Sequence, residues 1–174
     1  MFISAIETNR LRLEPLSMQH SQGMFHLWSN SEVTWYSGIV KDYDGIVIEM
    51  PVRNKQDSNL IIDFWIKAAE EGWGFRWAVI LKSENVFTGT VGFNSVSGCY
   101  EIAYHLIPAY WGKGIMTEAS LAAISWAEEN GASEIEAFAE PQNIPSIALA
   151  ERLGMEATDT YSEGARRYRR IYQG

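Results

Sequence analysis

The amino-acid sequence predicts an α+β fold: one domain with a mixed, mostly antiparallel sheet of about seven strands and about four flanking helices. Three stretches near the middle of the chain alternate apolar and polar residues and are joined by short polar turns, which is typical of an antiparallel meander. These stretches are 75–81, 87–95 and 99–107. A strand–helix–strand crossover follows and makes a later strand parallel to the last strand of the meander. With 174 residues, 47% of them hydrophobic, the chain can close one core, so we predict a single domain over residues 1–174.

The N-terminal part is predicted to supply one strand and two main helices. Residues 11–15 alternate and end at a proline, which favours a strand. Helical spacing of apolar residues predicts a helix capped by Ser17 and running to about residue 30, and a second helix from residue 57 or 58 to Gly72. Residues 31–56 keep no steady period and are predicted to form a short helix and a long loop, and such loops are often functional.

The C-terminal part is predicted to complete the sheet. A helix over 115–131 carries alanines on its apolar face, which allows it to approach the sheet closely. A strand over 134–139 follows, then a helix over 144–153 that ends before a glycine. The last two strands, 155–161 and 166–172, form a terminal hairpin.

The charge balance argues against a nucleic-acid partner. The formal net charge is −8, whereas binding of nucleic-acid phosphates needs a basic face. The arginine-rich run 166–170 lies on a terminal strand, where a solvated edge is the more usual role. An acidic protein suits a cationic partner such as an amine, although acidic surfaces mostly serve solubility.

The cysteine and histidine content predicts neither a disulfide nor a metal site. Cys99 is the only cysteine, so no intramolecular disulfide forms, and we expect a cytoplasmic protein. The histidines lack ligand spacing; they are His20, His26 and His105. The N-terminus has no signal-peptide pattern, and no apolar run approaches the roughly 20 residues of a membrane helix, so no membrane partner is expected.

The most informative segment is 108–117, which joins the end of a strand to the start of a helix. Gly112 and Gly114 allow a tight turn and a close approach of a ligand to the backbone. The first N–H groups of a helix form an anion site, to which Lys113 adds a positive charge. The segment therefore predicts a phosphate site, with a plain strand–turn–helix joint as the alternative.

Two nucleotide-binding motifs fit this segment less well. The P-loop pattern G-x-x-x-x-G-K-[ST] fails, because Ile107 stands at its first glycine and Gly114 at its Ser or Thr. The dinucleotide fingerprint G-x-G-x-x-G matches at Gly112 and Gly114 but has Thr117 at the third glycine. Glu136 lies at the distance this fingerprint expects, but too little sequence follows for a doubly wound sheet.

The segment resembles the pyrophosphate loop [Q/R]-x-x-G-x-[G/A] of the GNAT superfamily of N-acetyltransferases. Nearly the whole chain is similar to the ribosomal-protein N-terminal acetyltransferase (Rim-type) branch of that superfamily. Trp111 stands where the superfamily has Gln or Arg, and Met116 replaces a small residue, which is tolerable if its side chain points into the core. The similar segments are Glu7-Thr8-x-Arg10-Leu11-x-Leu13, Trp77-Ala78-Val79-Ile80, Glu101-Ile102-Ala103-Tyr104, Leu106, Pro108, Tyr110-Trp111-Gly112-Lys113-Gly114-Ile115, Thr117-Glu118-Ala119, Pro141-x-Asn143-x-x-Ser146 and Glu151-Arg152-Leu153-Gly154-Met155.

The resemblance implies acetyl-CoA as co-substrate and a central pair of parallel strands that splay apart around its pantetheine arm. Backbone groups at the end of the first strand would pair with the arm, Asn143 would bind it, and Ser146 would lie near the sulfur. Arg152 would reach the phosphates or form a surface salt bridge. The implied cofactor-binding residues are His105, Leu106, Ile107, Trp111, Gly112, Lys113, Gly114, Ile115, Met116, Asn143 and Ser146.

The same resemblance implies direct attack of a primary amine on the thioester. The amine must lose a proton, and the departing thiolate benefits from gaining one. Glu101 is the first candidate for a base acting through water, with solvent exposure or bracing of a neighbouring strand equally open. Glu140 is a second candidate base and His105 an alternative. Ser146 would act as a proton donor to the sulfur or as a helix cap.

The acceptor stays open at this level. It is the α-amine of a protein N-terminus, as in ribosomal-protein acetylation, or a small amine such as a polyamine or an antibiotic. A non-catalytic acyl-CoA-binding module is a third hypothesis. The resemblance and the exposed strand edges also allow a homodimer. Four aromatic residues either line an acceptor cleft or pack in the core; they are Trp28, Trp35, Tyr36 and Tyr43.

Overall fold

The computed structural model describes residues 3–172, which form ten strands and five α-helices. The strands are β1 (Ile6–Glu7), β2 (Leu11–Pro15), β3 (Val40–Lys41), β4 (Val47–Ile48), β5 (Phe75–Leu81), β6 (Val86–Ser97), β7 (Cys99–Leu106), β8 (Glu134–Ala139), β9 (Glu156–Ser162) and β10 (Ala165–Ile171). The helices are α1 (Ser21–Trp28), α2 (Ser31–Thr34), α3 (Lys55–Glu71), α4 (Ile115–Glu129) and α5 (Ile144–Arg152).

Eight strands form one sheet in the order β1-β2-β5-β6-β7-β8-β10-β9, and β3 pairs with β4 separately. All neighbours in the large sheet run antiparallel except β7 and β8, which are parallel. The predicted α+β fold, its meander and its single parallel crossover are therefore confirmed. The sequence did not predict β1 or the β3–β4 hairpin, because two-residue strands are too short for a period of two to be recognised.

The two faces of the sheet carry separate apolar cores, because successive strand residues point to opposite faces. Trp77 and Val79 of β5 pack with α4, whereas Ala78 and Ile80 pack with α1 and α3. Three alanines of α4 are fully buried against the first face, as its predicted close approach requires; they are Ala119, Ala123 and Ala127.

Helix boundaries differ slightly from the predicted ones for reasons of capping. Helix α3 begins at Lys55 rather than at residue 57 or 58, because the Asn54 side chain accepts a hydrogen bond of 2.9 Å from the Asp57 backbone N–H. It ends at Gly72, which is left-handed with φ of 81°, as predicted. Ahead of α1, a short 3-10 turn covers Met18–His20, so the α-helix itself starts at Ser21.

The parallel pair stays together over only three residues of each strand. Cys99, Tyr100 and Glu101 of β7 pair with Glu134, Ile135 and Glu136 of β8. Beyond that point β7 continues to Leu106 and β8 continues to Ala139, but the two strands no longer pair with each other. The sheet therefore opens at its centre, and the edge of β7 that faces β8 is free.

None of the helices in residues 3–172 combines the length and the apolar character that a bilayer-crossing helix needs.

Candidate active site

A cleft of about 1880 Å³ lies over the opening between β7 and β8. Single small-molecule sites measure roughly 300–1,000 Å³, so this volume suits two substrates that meet. On one side it is bordered by the start of α4 and by α5, and on the other by α1, α2 and α3. Glu101 and His105 of β7 line it, as do Asn143 and Ser146 beside α5.

The glycine turn between β7 and α4 forms one end of the cleft. Gly112 and Gly114 have φ of 71° and 72°, a left-handed conformation that favours glycine. Gly114 is the N-cap of α4 and offers no side chain to the first helical N–H groups, which stay open toward an anion. Met116 is only 7% exposed and belongs to the core, which explains how the turn accommodates it in place of a small residue.

Trp111 ties this turn to the end of β7. Its indole N–H donates a hydrogen bond of 2.8 Å to the carbonyl of Leu106. The residue that replaces the superfamily's Gln or Arg therefore braces the turn, although nearly half of its surface is exposed. Lys113 lies beside it with Nζ 5.4 Å from the centroid of the Tyr110 ring, a cation–π contact that keeps the ammonium near the cleft.

A second brace, which the sequence did not predict, reaches the turn from the N-terminal strands. Arg10 Nη1 donates to the Lys113 carbonyl at 2.8 Å, and Arg10 Nε donates to Glu118 Oε2 at 2.6 Å. Thr8 also donates to Glu118, at 2.7 Å. Burial raises the pKa of Glu118, but the hydrogen bonds from Arg10 and Thr8 outweigh it and bring the pKa below its ordinary value. Glu118 therefore stays ionised and anchors the first turn of α4.

Asn143 and Ser146 lie across the cleft at the start of α5. Asn143 is the N-cap of α5, where its Oδ1 accepts a hydrogen bond of 3.3 Å from the Ser146 backbone N–H. The hydroxyl of Ser146 lies 3.0 Å from that of Tyr104 on β7. The cap is therefore Asn143, and Ser146 presents its side chain to Tyr104 instead.

Tyr104 is a site residue that sequence reasoning missed. It lies on the α4 side of β7, and burial raises the pKa of its hydroxyl, partly opposed by the hydrogen bond with Ser146. The hydroxyl therefore stays protonated, and its contact with Ser146 gives it a route for passing a proton. Glu101 and Tyr104 are three residues apart on β7, so the alternation of a strand puts them on opposite faces. Only the tertiary structure brings Tyr104 to α5.

Arg152 points to the first turn of α4. Its Nε donates to Thr117 Oγ1 at 3.4 Å, and it has no carboxylate within 4.0 Å among the described residues. The surface salt bridge that the sequence left open is therefore not formed in this part of the chain. The Arg152 guanidinium therefore adds a second positive charge, after that of Lys113, near the glycine turn.

Glu101 lies on the other face of β7, which α1 and α3 cover. Its Oε1 accepts a hydrogen bond of 2.6 Å from Asn94 Nδ2, and the Asn94 carbonyl oxygen accepts one from the buried Arg76. Glu101 is half-buried and lines the cleft. It is therefore neither a fully solvent-exposed residue nor one that only braces the neighbouring strand. Glu140 is exposed and does not line the cleft.

His105 lies on the same face as Glu101 and is held neutral. Burial, together with the positive charge of Arg76, lowers its pKa to about 3. An imidazole with that pKa is too weakly basic to take a proton from an amine near neutral pH. Its ring lies 4.7 Å from that of Trp28, and neither His105 Nδ1 nor Trp28 Nε1 has a hydrogen-bond partner within residues 3–172.

Three of the four aromatic residues singled out in the N-terminal part line the cleft, and the fourth, Tyr43, lies outside both the cleft and the two cores. Trp28, Trp35 and Tyr36 line the cleft, with Trp35 78% exposed at its mouth. Tyr43 does not line it and instead packs edge-on against Phe64, with ring centroids 5.9 Å apart. Tyr36 spans the cleft and donates to the Gln142 carbonyl at 3.2 Å, which links the loop after α2 to the start of α5.

Cys99 and the histidines give no other catalytic group. Burial and the nearby Glu136 raise the pKa of the Cys99 thiol to about 11, although Arg167 opposes them, so the thiol stays protonated. Within residues 3–172 no three His, Cys, Asp or Glu side chains come together as a set of metal ligands.

The chain matches the model of the acetyltransferase (GNAT) domain family over residues 10–156. It is 29% identical over 158 residues to the uncharacterized N-acetyltransferase p20 of Bacillus licheniformis, covering 88% of this chain and 83% of the relative. It is 26% identical over 155 residues to the uncharacterized N-acetyltransferase YoaA of Bacillus subtilis, covering 87% and 82%.

Solved structures share the fold at lower identity. The ribosomal-protein α-N-acetyltransferase RimL in complex with coenzyme A has a TM-score of 0.78 at 18% identity, covering 96% of this chain and 97% of that one. An acetyltransferase of Salmonella typhimurium that modifies the N-terminal serine of a ribosomal protein has a TM-score of 0.76 at 17% identity, covering 95% and 97%. The microcin C7 self-immunity acetyltransferase in complex with acetyl-CoA and AMP has a TM-score of 0.76 at 18% identity, covering 95% and 94%. The open pair of strands, the glycine turn and the family match agree, and the chain belongs to the GNAT family of acetyl-CoA-dependent N-acetyltransferases.

Proposed function

We propose that this enzyme transfers the acetyl group of acetyl-CoA to the α-amine of a protein N-terminus by direct attack of the amine. The observation that carries this proposal is the opening of the sheet after Glu101 and Glu136. The glycine turn lies at one end of the cleft over this opening, and Glu101 lines the cleft from the face of β7 that α1 and α3 cover. Acetyl-CoA supplies an activated thioester, so the protein needs no nucleophile of its own.

The residues around the opening fit a pantetheine arm and a pyrophosphate. The free edge of β7 at His105 and Leu106 can pair with amides of the arm, and the chain leaves the sheet at Ile107. Asn143 and Ser146 border the arm from α5. The turn from Trp111 to Met116 meets the phosphates with its backbone N–H groups, its glycines and the charge of Lys113. The residues assigned to the turn are Trp111, Gly112, Lys113, Gly114, Ile115 and Met116.

Proton transfer divides between the two faces of β7. Glu101 accepts a proton from the acceptor ammonium through a water molecule on the α1–α3 side, and the neutral amine then attacks the thioester. Ser146, hydrogen-bonded to Tyr104, donates a proton to the departing sulfur on the α4–α5 side. A backbone N–H on the free edge of β7 stabilises the oxyanion of the tetrahedral intermediate. The nitrogen loses two protons on its way from ammonium to amide and the sulfur gains one, so each turnover releases one proton to solvent. Glu101 returns its proton to water and Ser146 recovers its own from water, which restores the starting charge of the enzyme.

The acceptor is assigned from the wall that Trp28 and His105 form. Trp28 packs against His105 with ring centroids 4.7 Å apart, and Trp35 and Tyr36 continue this wall along the cleft. The peptide that follows an α-amine offers amide groups and side chains to such a wall along its length, whereas a polyamine offers only methylenes and amines. Two enzymes with this fold act on ribosomal proteins, but at 17–18% identity they support only the fold.

A thiol-release assay with acetyl-CoA tests this assignment. The panel contains peptides with a free α-amine, the same peptides with a blocked α-amine and a free lysine, a polyamine and an aminoglycoside. We expect the highest kcat/KM with the free α-amines and no thiol release with the blocked peptides. Turnover of only the polyamine or the aminoglycoside would show that the acceptor is a small amine rather than a protein N-terminus. Binding of acetyl-CoA without turnover of any amine would indicate a non-catalytic module.

The edge strand β9 supports a second, structural proposal. Strand β9 lies at one end of the large sheet and carries mostly exposed residues, so it can pair with the same strand of a second copy. A homodimer formed this way predicts twice the chain mass in light scattering, and a single-chain mass at micromolar concentration would contradict it.

A further inference from the structure

We propose that Asn94 and Arg76 are positioning residues that hold the Glu101 carboxylate in place and aim it at the acceptor. Since this role rests on the proposed function, in which Glu101 is the base, its test must separate the two. Neither side chain is part of the glycine turn, and both line the cleft together with Glu101.

A β-bulge brings Asn94 to Glu101. In the register of β6 and β7, Phe93 pairs with Ile102 and Ser95 pairs with Glu101, which leaves Asn94 as an extra residue between the two pairs. Phe93 points into the core on the α4 face, whereas Asn94 lines the cleft. The bulge therefore places a side-chain amide beside the carboxylate.

The polarity of this contact is fixed by Arg76. A guanidinium carries only donors, so the atom of Asn94 that meets Arg76 Nη2 must be its carbonyl oxygen. The amide nitrogen then faces Glu101, where it donates a hydrogen bond of 2.6 Å to Oε1. This bond fixes the orientation of the carboxylate through Oε1, and the second carboxylate oxygen remains for a water or an amine.

Because Arg76 is buried, a negative charge connected to it stabilises the structure. Arg76 is 5% exposed, with its guanidinium carbon 3.6 Å from the centroid of a Trp65 ring and Nη1 donating to the Phe75 carbonyl at 2.9 Å. No carboxylate lies within 4.0 Å of it in the described part of the chain. Burial lowers the pKa of Arg76 to about 9, and the charge of Glu101 opposes that change. The negative charge that compensates Arg76 is thus Glu101, connected through Asn94.

The other ionisable groups around Glu101 are already engaged or neutral. On β8 its register partner Glu136 accepts a hydrogen bond of 2.5 Å from Arg167 on β10. On its own strand His105 is neutral and Cys99 is protonated, as described above. From β5 the facing charge is Arg76. Arg76 and Asn94 are therefore the groups through which the state of Glu101 can be changed without changing its neighbours.

The experiment compares Asn94→Leu and Asn94→Asp with the wild type in pH profiles of kcat and kcat/KM for the acceptor. Asn94→Leu removes both hydrogen bonds at similar size, and we expect kcat to fall about tenfold and the pH profile to differ from that of the wild type, because the carboxylate loses the bond that holds it. Asn94→Asp puts a negative charge beside Glu101 and should change the profile further. The Kd of acetyl-CoA should not change, because the contact lies on the face of β7 opposite α5.

Ser95→Ala is the matched control. Ser95 follows Asn94 in the bulge and pairs with Glu101 in the ladder, but its hydroxyl lies 3.3 Å from that of Ser97 instead. Its pH profile should equal that of the wild type. If Asn94→Leu does not fold, as judged by circular dichroism and acetyl-CoA binding, the near-isosteric Asn94→Asp carries the comparison.

Glu101→Gln separates the two hypotheses. If Glu101→Gln keeps wild-type turnover, the base of the proposed function is wrong whatever Asn94 does. If Glu101→Gln loses turnover while both Asn94 variants keep the wild-type profile, the positioning role is overturned. If the role is right, adding Asn94→Leu to Glu101→Gln causes no further loss, since the interaction is already gone.

Discussion

The glycine turn and the acceptor wall lie at two ends of one cleft but are built in opposite ways. The turn is a contiguous segment, 108–117, whose two left-handed glycines and first helical N–H groups form the proposed phosphate site. The acceptor wall draws side chains from α1, β5, β6 and β7, so its members are up to 77 positions apart, from Trp28 to His105. The first depends on the local conformation of the chain, and the second on the packing of the whole sheet.

This difference separates binding of the cofactor from chemistry on the acceptor. In the proposed function the turn binds the phosphates and takes no part in the acyl transfer, so a change in the turn should alter affinity for acetyl-CoA alone. A change in the wall acts on proton transfer or on acceptor fit and should leave that affinity intact. Four predictions test this separation, from the largest expected effect to the smallest.

The largest effect is expected for Glu101→Gln. Loss of the carboxylate removes the proton acceptor, so kcat should fall about 100-fold, the lower range for a general base. The Kd of acetyl-CoA measured by calorimetry should equal that of the wild type. A parallel loss of acetyl-CoA affinity would show that wall and turn are not separable.

The second effect concerns pH and the stability of the wall. His105 has a folded-state pKa of about 3 against an ordinary value near 6.5, so the unfolded chain binds the extra proton first and stability falls as pH drops below 6.5. Between pH 7 and pH 5 this one residue should cost about 2 kcal/mol of unfolding free energy.

Urea denaturation at the two pH values measures this cost, and His105→Asn should remove that part of the pH dependence. His26→Asn is the control, since His26 is exposed on α1. Equal pH dependence in the wild type and in His105→Asn would contradict a neutral, buried imidazole.

The third effect concerns the turn. Gly114→Val introduces a β-branched side chain at φ of 72°, with its Cβ 3.4 Å from Arg10 Nη2, so the turn must shift. We expect the Kd of acetyl-CoA to rise about tenfold while kcat at saturation stays near the wild-type value, because roughly 1–2 kcal/mol of backbone strain is released by distorting the turn.

Gly164→Val is the matched control for Gly114→Val. It carries the same strain at φ of 87° in the turn between β9 and β10, with open space around the added side chain. Its acetyl-CoA affinity should be unchanged. A similar loss in both variants would mean that general destabilisation, rather than the turn itself, lowers affinity.

The smallest effect is expected for Lys113→Ala. Lys113 is exposed, so its charge is screened and should contribute about threefold to acetyl-CoA affinity at low salt. The difference should disappear at 1 M salt. Lys67→Ala, on α3 and paired with Asp63, should show no difference at either salt concentration.

The same contrast explains how much of the molecule the sequence could predict. The meander, the crossover and the glycine turn follow from local periods and from residue types at fixed spacing, and they are confirmed. Asn94 was missed because a bulge inserts it beside Glu101 and breaks the alternation that would have placed it. Arg10 was not recognised as a brace because its partner Glu118 lies 108 residues away and no local pattern joins them.

The opening of the sheet also has a consequence for the lifetime of the protein. Strands β8, β10 and β9 are attached to the rest of the sheet through three paired residues of β7, so this central seam is short beside the eight pairs of β6 with β7 and the six pairs of β8 with β10. A ligand that spans this seam binds only the folded chain, and at 100 times its Kd it adds about 2.7 kcal/mol to stability. Resistance to proteases should therefore rise with acetyl-CoA concentration, so that the supply of the co-substrate sets how long the enzyme survives.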